Sequence, residues 1–272
     1  MNEKISLAGD LGSGKSTVSK ILIERLGAEY YSTGAIVRSI AEKRGMSVVE
    51  LNLYMETHPE IDHEIDAGVA ALAELDKTLI IDSRMAWHFT KGTFKVYLST
   101  DIETSACRIM MANRKGEHAL TLEETIRDTK ARTQSERKRY SEQYGVNIKD
   151  LSNYDLVVDT TYATPDEIAE CIVSAFCRWQ GDKSYKQAFI SPERLLYPDD
   201  APDMETVAGI STALEAGTAS GKVCIAEKDG DFYVLKGTET ALAHSFNMDT
   251  FVPCSLTKGT VSGNFIKMKN SI

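Results

Sequence analysis

The first part of the chain alternates short apolar runs with amphipathic stretches. Four runs, at residues 5–8, 79–82, 94–98 and 154–158, are apolar enough to predict β-strands buried on both faces. Apolar residues at helical spacing (Val18, Ile21, Leu22, Leu26) follow the first run and predict a helix. Alternating strands and helices predict an α/β fold with a parallel sheet, in which ligands bind at the carboxyl ends of the strands.

Two further helices have clear start signals. Thr121 with Glu124, and Thr164 with Glu167, form capping boxes, and Pro165 occupies the first helical position of the second. The second helix then carries an apolar stripe that consists of Ile168, Cys171, Ile172, Ala175, Phe176 and Trp179.

The pattern changes after residues 180–184, which read as a linker. Asp229-Gly230 lies between the apolar runs 222–228 and 231–235 and predicts a hairpin, and residues 204–216 and 238–247 suit short helices. We therefore predict two domains, at 1–181 and 186–272, the second a small α+β domain.

Composition narrows the class of protein. The 272 residues are 42% hydrophobic and 26% charged, which is typical of a globular chain. A net charge of -9 disfavours a general nucleic-acid binder, and no apolar run approaches a membrane span or a signal peptide. The five cysteines include no C-x-x-C pair, so we expect reduced thiols and a cytoplasmic location.

Residues 9–17 satisfy the phosphate-binding pattern G-x-x-x-x-G-K-[ST] between a predicted strand and a predicted helix. Gly12 and Gly14 allow successive backbone N–H groups to face phosphate oxygens at a helix N-terminus. Lys15 is then expected to reach the β- and γ-phosphates of ATP, and the Ser16 hydroxyl to ligate Mg²⁺.

A cationic segment supplies a second phosphate signal. Residues 127–139 hold six cations against two carboxylates, and Arg132, Glu136 and Arg139 share one helix face. Such a face is as often a solvated helix with weak ion pairs. Beside a phosphate-binding loop it favours phosphoryl transfer, and it predicts a hinged helical lid from Arg108 to Tyr144, with Arg114 and residues 115–118 in its loop.

An acceptor phosphate requires further cations. Arg38 lies in the strand-to-helix turn 32–38, and Arg84 lies just past the strand that ends in Asp82. Either arginine alone would indicate little.

Together these motifs resemble the archaeal-type branch of the cytidylate kinase family over about residues 3–178, with 58–62, 82–87, 135–140 and 154–157 also fitting. The resemblance implies a P-loop nucleoside monophosphate kinase fold that transfers the γ-phosphate of ATP to CMP or dCMP. It assigns ATP phosphates to Gly9, Gly12, Ser13, Gly14, Lys15, Ser16 and Thr17, and Mg²⁺ to Ser16 and Asp82. It assigns the acceptor to Ser32, Gly34, Arg38, Arg84 and Glu136, and phosphate closure to the catalytic residues Lys15, Arg108, Arg132 and Arg139.

Three positions depart from the motifs of that branch. Ala35 stands where aspartate is usual, and Asp82-Ser83 where Glu-Gly is usual. The 222–237 segment is only faintly similar to ParB/sulfiredoxin-like domains, because Gly237 alone remains of their phosphate-binding motif. We expect residues 186–272 to be structural, to dock a partner or to support oligomerisation.

The sequence therefore predicts a CMP/dCMP kinase that uses ATP and Mg²⁺. The alternatives are a P-loop kinase for another small acceptor, and a catalytically inactive regulator that senses ATP. The arginine-rich segment disfavours the regulator, because an ATP sensor requires no second phosphate pocket.

Overall fold

The computed structural model describes residues 3–112, 121–218 and 221–267. Its strands are β1 Lys4–Gly9, β2 Glu29–Ser32, β3 Leu79–Asp82, β4 Phe94–Ser99, β5 Leu156–Asp159, β6 Gln187–Ile190, β7 Leu195–Pro198, β8 Val223–Lys228, β9 Asp231–Lys236, β10 Val252–Leu256 and β11 Phe265–Ile266. Its helices are α1 Lys15–Leu26, α2 Thr33–Arg44, α3 Val48–Met55, α4 Pro59–Ala71, α5 Ala86–Phe89, α6 Ile102–Met111, α7 Leu122–Tyr144, α8 Pro165–Gly181, α9 Met204–Glu215 and α10 Thr238–Phe246.

A parallel sheet forms the first part of the molecule, in the order β2-β3-β1-β4-β5. The four strands predicted from apolar runs are confirmed as β1, β3, β4 and β5. Every residue of β3 and β5 is buried, as strands covered by helices on both faces require. This α/β architecture places the turn after β1 at the carboxyl edge of the sheet.

Both predicted capping boxes are confirmed. The Thr121 hydroxyl accepts from the Glu124 N–H at the start of α7, and the Thr164 hydroxyl does the same for Glu167 at the start of α8. Each box satisfies two backbone donors that a helix N-terminus leaves unpaired. These caps fix where α7, the helix that carries the candidate site arginines, begins.

The sheet continues past the predicted linker. Strand β6 pairs with β5 in parallel and with β10 in antiparallel register, and β8, β9, β7 and β11 extend the sheet from there. The predicted hairpin is confirmed as β8 and β9, with Asp229 and Gly230 at positive φ in the turn. One sheet thus crosses the two predicted domains, and the division at 181 and 186 stays a prediction.

Two apolar layers cover the sheet. On one face Phe94 packs on Phe176 and Trp179 of α8, with ring centroids 5.6 Å and 5.3 Å apart. The second layer joins residues of both parts of the chain, from Tyr97 and Val157 to Ile225 and Phe232. Full burial of side chains of this size is worth about 1.5–3 kcal/mol each. The shared layer therefore holds the second part of the chain on the sheet.

Among the described helices, none is both long enough and apolar enough to cross a bilayer.

Candidate active site

Glycines shape the loop between β1 and α1. Gly12 and Gly14 have φ of 70° and 82°, which glycine adopts without strain. A Cβ on Gly12 would lie 2.5 Å from the Ser105 carbonyl oxygen, so the loop packs against α6 as only glycine allows. No side chain caps the N-terminus of α1 at Gly14, and its first N–H groups remain available to a ligand.

Lys15 folds back over this loop. Its Nζ donates to the carbonyl oxygens of Gly9 at 3.1 Å and Asp10 at 2.7 Å. Burial, followed by the charge of nearby Arg84, lowers the pKa of Lys15 to about 7. Because the negative charge of a phosphate would offset both effects, this ammonium group is suited to an anionic ligand.

Asp10 anchors the loop from behind. Its carboxylate accepts from the Tyr97 hydroxyl at 2.7 Å and the Thr100 N–H at 3.0 Å, and it pairs with Lys149. Burial raises the pKa of Asp10, but Lys149 and these hydrogen bonds outweigh it and the pKa is lowered. This contact could not be predicted from the sequence, because Lys149 is distant in the chain and no motif marks it.

Glu136 joins two arginines at the centre of the site. Its carboxylate lies 2.8 Å from Arg84 Nε and 3.0 Å from Arg132 Nε, and its side chain is 7% exposed. Although burial alone would raise it, Arg84 and Arg132 lower the pKa of Glu136 to about 2. Arg84 also donates to the Gly9 carbonyl oxygen, which ties this cluster to the phosphate-binding loop.

Arg139 lies one turn further along α7 and is 3% exposed. Its Nη1 donates to the carbonyl and side-chain oxygens of Asn52 at 2.8 Å and 3.0 Å, and its Nε lies 3.0 Å from Asp62 Oδ2. These partners on α3 and α4 hold the guanidinium in place, and sequence analysis did not foresee them. The assignment of Arg139 to phosphate closure stays a prediction.

The remaining predicted residues lie on α2 and α6: Ser32 and Gly34 at the start of α2, Arg38 about one turn later, and Arg108 in the last turn of α6. Ser32 caps α2 by accepting from the Ala35 N–H at 3.3 Å, and a Cβ on Gly34 would lie 3.5 Å from Arg38 Nη1. Arg108 on α6 donates to the Thr160 carbonyl oxygen at 2.7 Å. That contact fixes Arg108 to the loop after β5.

One cavity of about 520 Å³ brings the predicted site together. Of the predicted residues it is lined by Gly12, Ser13, Gly14, Lys15, Ser16, Thr17, Ser32, Gly34, Arg38, Asp82, Arg84, Arg108, Arg132, Glu136 and Arg139. Gly9 contributes through its carbonyl oxygen to Lys15 and Arg84 behind the cavity wall. Asn52, Asp62 and Asp66, which sequence analysis did not select, line the same cavity.

The two residues predicted for Mg²⁺ meet at Tyr30. The Tyr30 hydroxyl donates to Asp82 Oδ2 at 2.8 Å and also interacts with the Ser16 side chain. Within the described ranges, no group of three or more His, Cys, Asp or Glu side chains could hold a metal ion. A Mg²⁺ held by one hydroxyl, one carboxylate and substrate phosphates needs no such group, so these residues fit it.

The predicted lid is described in part. Helices α6 and α7 pack against each other, and α7 runs from Leu122 to Tyr144. Arg114 and residues 115–118 lie outside the described residues, and closure of the lid stays a prediction.

Comparisons with known proteins identify relatives of this chain. The family model for the "Cytidylate kinase-like family" matches residues 4–162. A cytidylate kinase from Thermoplasma volcanium is 37% identical over 175 residues, which are 63% of this chain and 90% of that relative. An S-adenosylmethionine-dependent nucleotide dehydratase from Lacinutrix mariniflava is 37% identical over 65% of this chain, but the match spans only 36% of that relative. The solved sulfiredoxin from Arabidopsis thaliana is similar over 27% of this chain and 85% of its own, at 18% identity and a TM-score of 0.25.

Proposed function

Because the chain belongs to the cytidylate kinase-like family, we propose that it transfers the γ-phosphate of ATP to CMP or dCMP, giving CDP or dCDP. It is a nucleoside monophosphate kinase, and the choice of a cytidylate as acceptor is the finer part of the proposal. We extend the proposal to Mg²⁺ as the metal and to the cytoplasm as the location.

One observation carries the proposal: a phosphate-binding loop and a cluster of arginines share one cavity. The loop with Lys15 suits the donor triphosphate, and Arg38, Arg84 and Arg132 suit a second anion on the acceptor side. Two phosphate sites in one cavity are what direct transfer between nucleotides requires, since the reacting oxygens must be in line.

The protein's part in the reaction is positioning and electrostatics. The N–H groups at the start of α1 and the Lys15 ammonium hold the donor phosphates. Arg84 and Arg132 balance the negative charge that spreads over the transferring group, and Glu136 fixes their guanidiniums. A bound Mg²⁺, held by Ser16 and Asp82, would supply charge neutralisation at the β- and γ-phosphates.

The last part of the chain supports a structural role. Its strands share the sheet and one apolar layer with the first part, from Tyr97 to Phe232. We propose that residues 186–272 stabilise the sheet beyond β5 and leave their outer surface for a partner or a second copy.

A coupled assay tests the proposal. The full-length protein, with ATP and Mg²⁺, is offered CMP, dCMP, UMP, AMP and shikimate, and ADP formation is followed. The proposal expects the highest kcat/KM with CMP or dCMP. Preference for another acceptor would favour the general kinase, and ATP binding without ADP formation from any acceptor would favour the regulator.

A further inference from the structure

One part of the cavity lining is polar and buried. It is formed by α3, α4 and α7, which contribute Asn52, Asp62, Asp66 and Arg139. Asp62 and Asp66 lie on successive turns of α4 and are 3% and 6% exposed. Buried carboxylates are uncommon unless paired, so each one requires an account.

Asp62 has its partners within the protein. Arg139 Nε lies 3.0 Å from Asp62 Oδ2, and the Gln143 side-chain amide donates to the same oxygen at 3.5 Å. Removing Asp62 would therefore also take one partner from the buried Arg139.

Asp66 differs from Asp62 in its hydrogen bonding, because its Oδ2 is buried and has no hydrogen-bond partner among the described residues. Burial, with a further contribution from the Asp62 charge, raises the pKa of Asp66 to about 7. The Tyr144 hydroxyl and Arg139 act in the opposite direction but do not cancel this rise. The Tyr144 hydroxyl, also buried, interacts with Asp66 but makes no hydrogen bond of good geometry in the described parts of the chain. A buried acceptor left unpaired costs stability, and a ligand N–H would satisfy it.

Apolar side chains line the same cavity. They include Met55, Ile65 and Tyr140, which are 1%, 8% and 8% exposed. A flat aromatic ring could occupy this space, with its faces on apolar atoms and its edge towards Asp66. The cations proposed to bind phosphate line the same cavity from α1, α2 and the turn after β3.

The chemistry of the acceptor base separates two pyrimidines here. Cytosine carries an amino donor at position 4, where uracil carries an oxygen that only accepts. Above its pKa of about 7, Asp66 is a carboxylate, which accepts from the amino group and repels the oxygen. We propose that Asp66 binds the exocyclic amino group of the acceptor cytosine and thereby determines the preference for CMP over UMP, an inference that rests on the proposed function.

The test compares full-length Asp66→Asn with wild type on CMP, UMP and the monophosphate of a pyrimidin-2-one riboside, which lacks the amino group. The asparagine keeps the size of the side chain but adds a donor. Glu64→Gln, an exposed carboxylate on the same helix, is the matched control. We expect Asp66→Asn to reduce the kcat/KM ratio of CMP to UMP by about a hundredfold or more, because a site built to bind a polar group rejects ligands without it by large factors. The control should keep the ratio.

Three readouts keep the inference separate from the proposed function. Wild type should discriminate against the pyrimidin-2-one nucleotide, and Asp66→Asn should lose most of that discrimination. Calorimetry measures the ratio of the CMP and UMP affinities without turnover, and unchanged thermal unfolding of Asp66→Asn shows that it folds.

Each remaining outcome decides the inference. A wild-type enzyme that prefers CMP, with the same preference in folded Asp66→Asn, overturns the inference and leaves the proposed function intact. A wild type that neither binds nor phosphorylates CMP overturns both. If wild type binds CMP more tightly than UMP but phosphorylates neither, and Asp66→Asn loses this difference in affinity, the inference is supported and the kinase proposal is overturned.

Discussion

Replacing Glu136 by glutamine tests whether the central arginine cluster is held by its carboxylate. The carboxylate bridges Arg84 and Arg132 at 2.8 Å and 3.0 Å, and the three side chains are 7%, 17% and 14% exposed. The amide keeps the shape of the side chain but removes the charge. Two buried guanidiniums would then face a neutral group.

The pKa of Glu136 gives the magnitude. It is lowered from 4.5 to about 2, and since a tenfold change in proton affinity corresponds to about 1.4 kcal/mol, the folded protein gains roughly 3 kcal/mol from the ionised form. Removing one member of a buried pair costs a similar amount, about 3–5 kcal/mol. We therefore expect Glu136→Gln to lower the free energy of unfolding at pH 7 by about 3 kcal/mol.

The pH dependence has a definite sign. A carboxyl whose pKa is depressed by folding stabilises the protein above its unfolded pKa, and this is lost as pH falls through the folded pKa. The difference in the free energy of unfolding between wild type and Glu136→Gln should therefore reach its full value at pH 7 and shrink to roughly half of that value by pH 3.

Urea unfolding monitored by circular dichroism at pH 7 and at lower pH values measures both effects. Glu142→Gln, an exposed carboxylate on the same helix, is the control and should change stability by less than about 0.5 kcal/mol. Equal stability of the two variants at pH 7 would refute the reasoning.

Three further changes probe the phosphate-binding loop. Lys15→Ala should reduce turnover by about a hundredfold or more, the scale of losing one preorganised charge, and undiminished turnover in the coupled assay would contradict its role. The pKa of Lys15 is about 7 without ligand, and bound phosphates raise it, so ATP affinity should fall above pH 7 and binding should take up as much as about one proton per ATP. Calorimetry in buffers of different ionisation enthalpy measures this proton uptake. ATP binding without proton uptake at pH 8 would contradict the prediction. Gly12→Ala should lower the melting temperature and ATP affinity, because its Cβ would lie 2.5 Å from Ser105 O at a φ of 70°, whereas Gly181→Ala, where a Cβ meets nothing within 4 Å, should not.

Sequence patterns predicted the parts of the fold that depend on neighbouring residues. Strand β3 begins and ends as predicted, at Leu79 and Asp82, and both capping boxes form. The strand predicted at 154–158 begins two residues later, at Leu156, because Tyr154 and Asp155 turn from a short 3-10 helix into the sheet.

Contacts between residues that are far apart in the chain could not be predicted from the sequence. Lys149 reaches Asp10 across the fold, and Asn52 on α3 binds Arg139 on α7, although no spacing in the sequence relates them. Strand β6 likewise looks like the start of a separate unit until its pairing with β5 is known.

The pair Asp62 and Asp66 shows the same limit. Asp62 and Asp66 stand at helical spacing on α4, which by itself indicates only a shared face. Their burial, and the absence of a hydrogen bond to Asp66 Oδ2 within the described residues, depend on where α3 and α7 pack.

The central claim is that donor and acceptor phosphates meet end to end in one cavity. A cytidine–adenosine pentaphosphate, which joins both nucleosides through one phosphate chain, tests it by calorimetry and competition. We predict one molecule bound per chain, at least about tenfold more tightly than ATP or CMP, with both displaced, since a linked ligand gains from two sites at once. An affinity no greater than that of ATP, with CMP still able to bind alongside the compound, would contradict the claim.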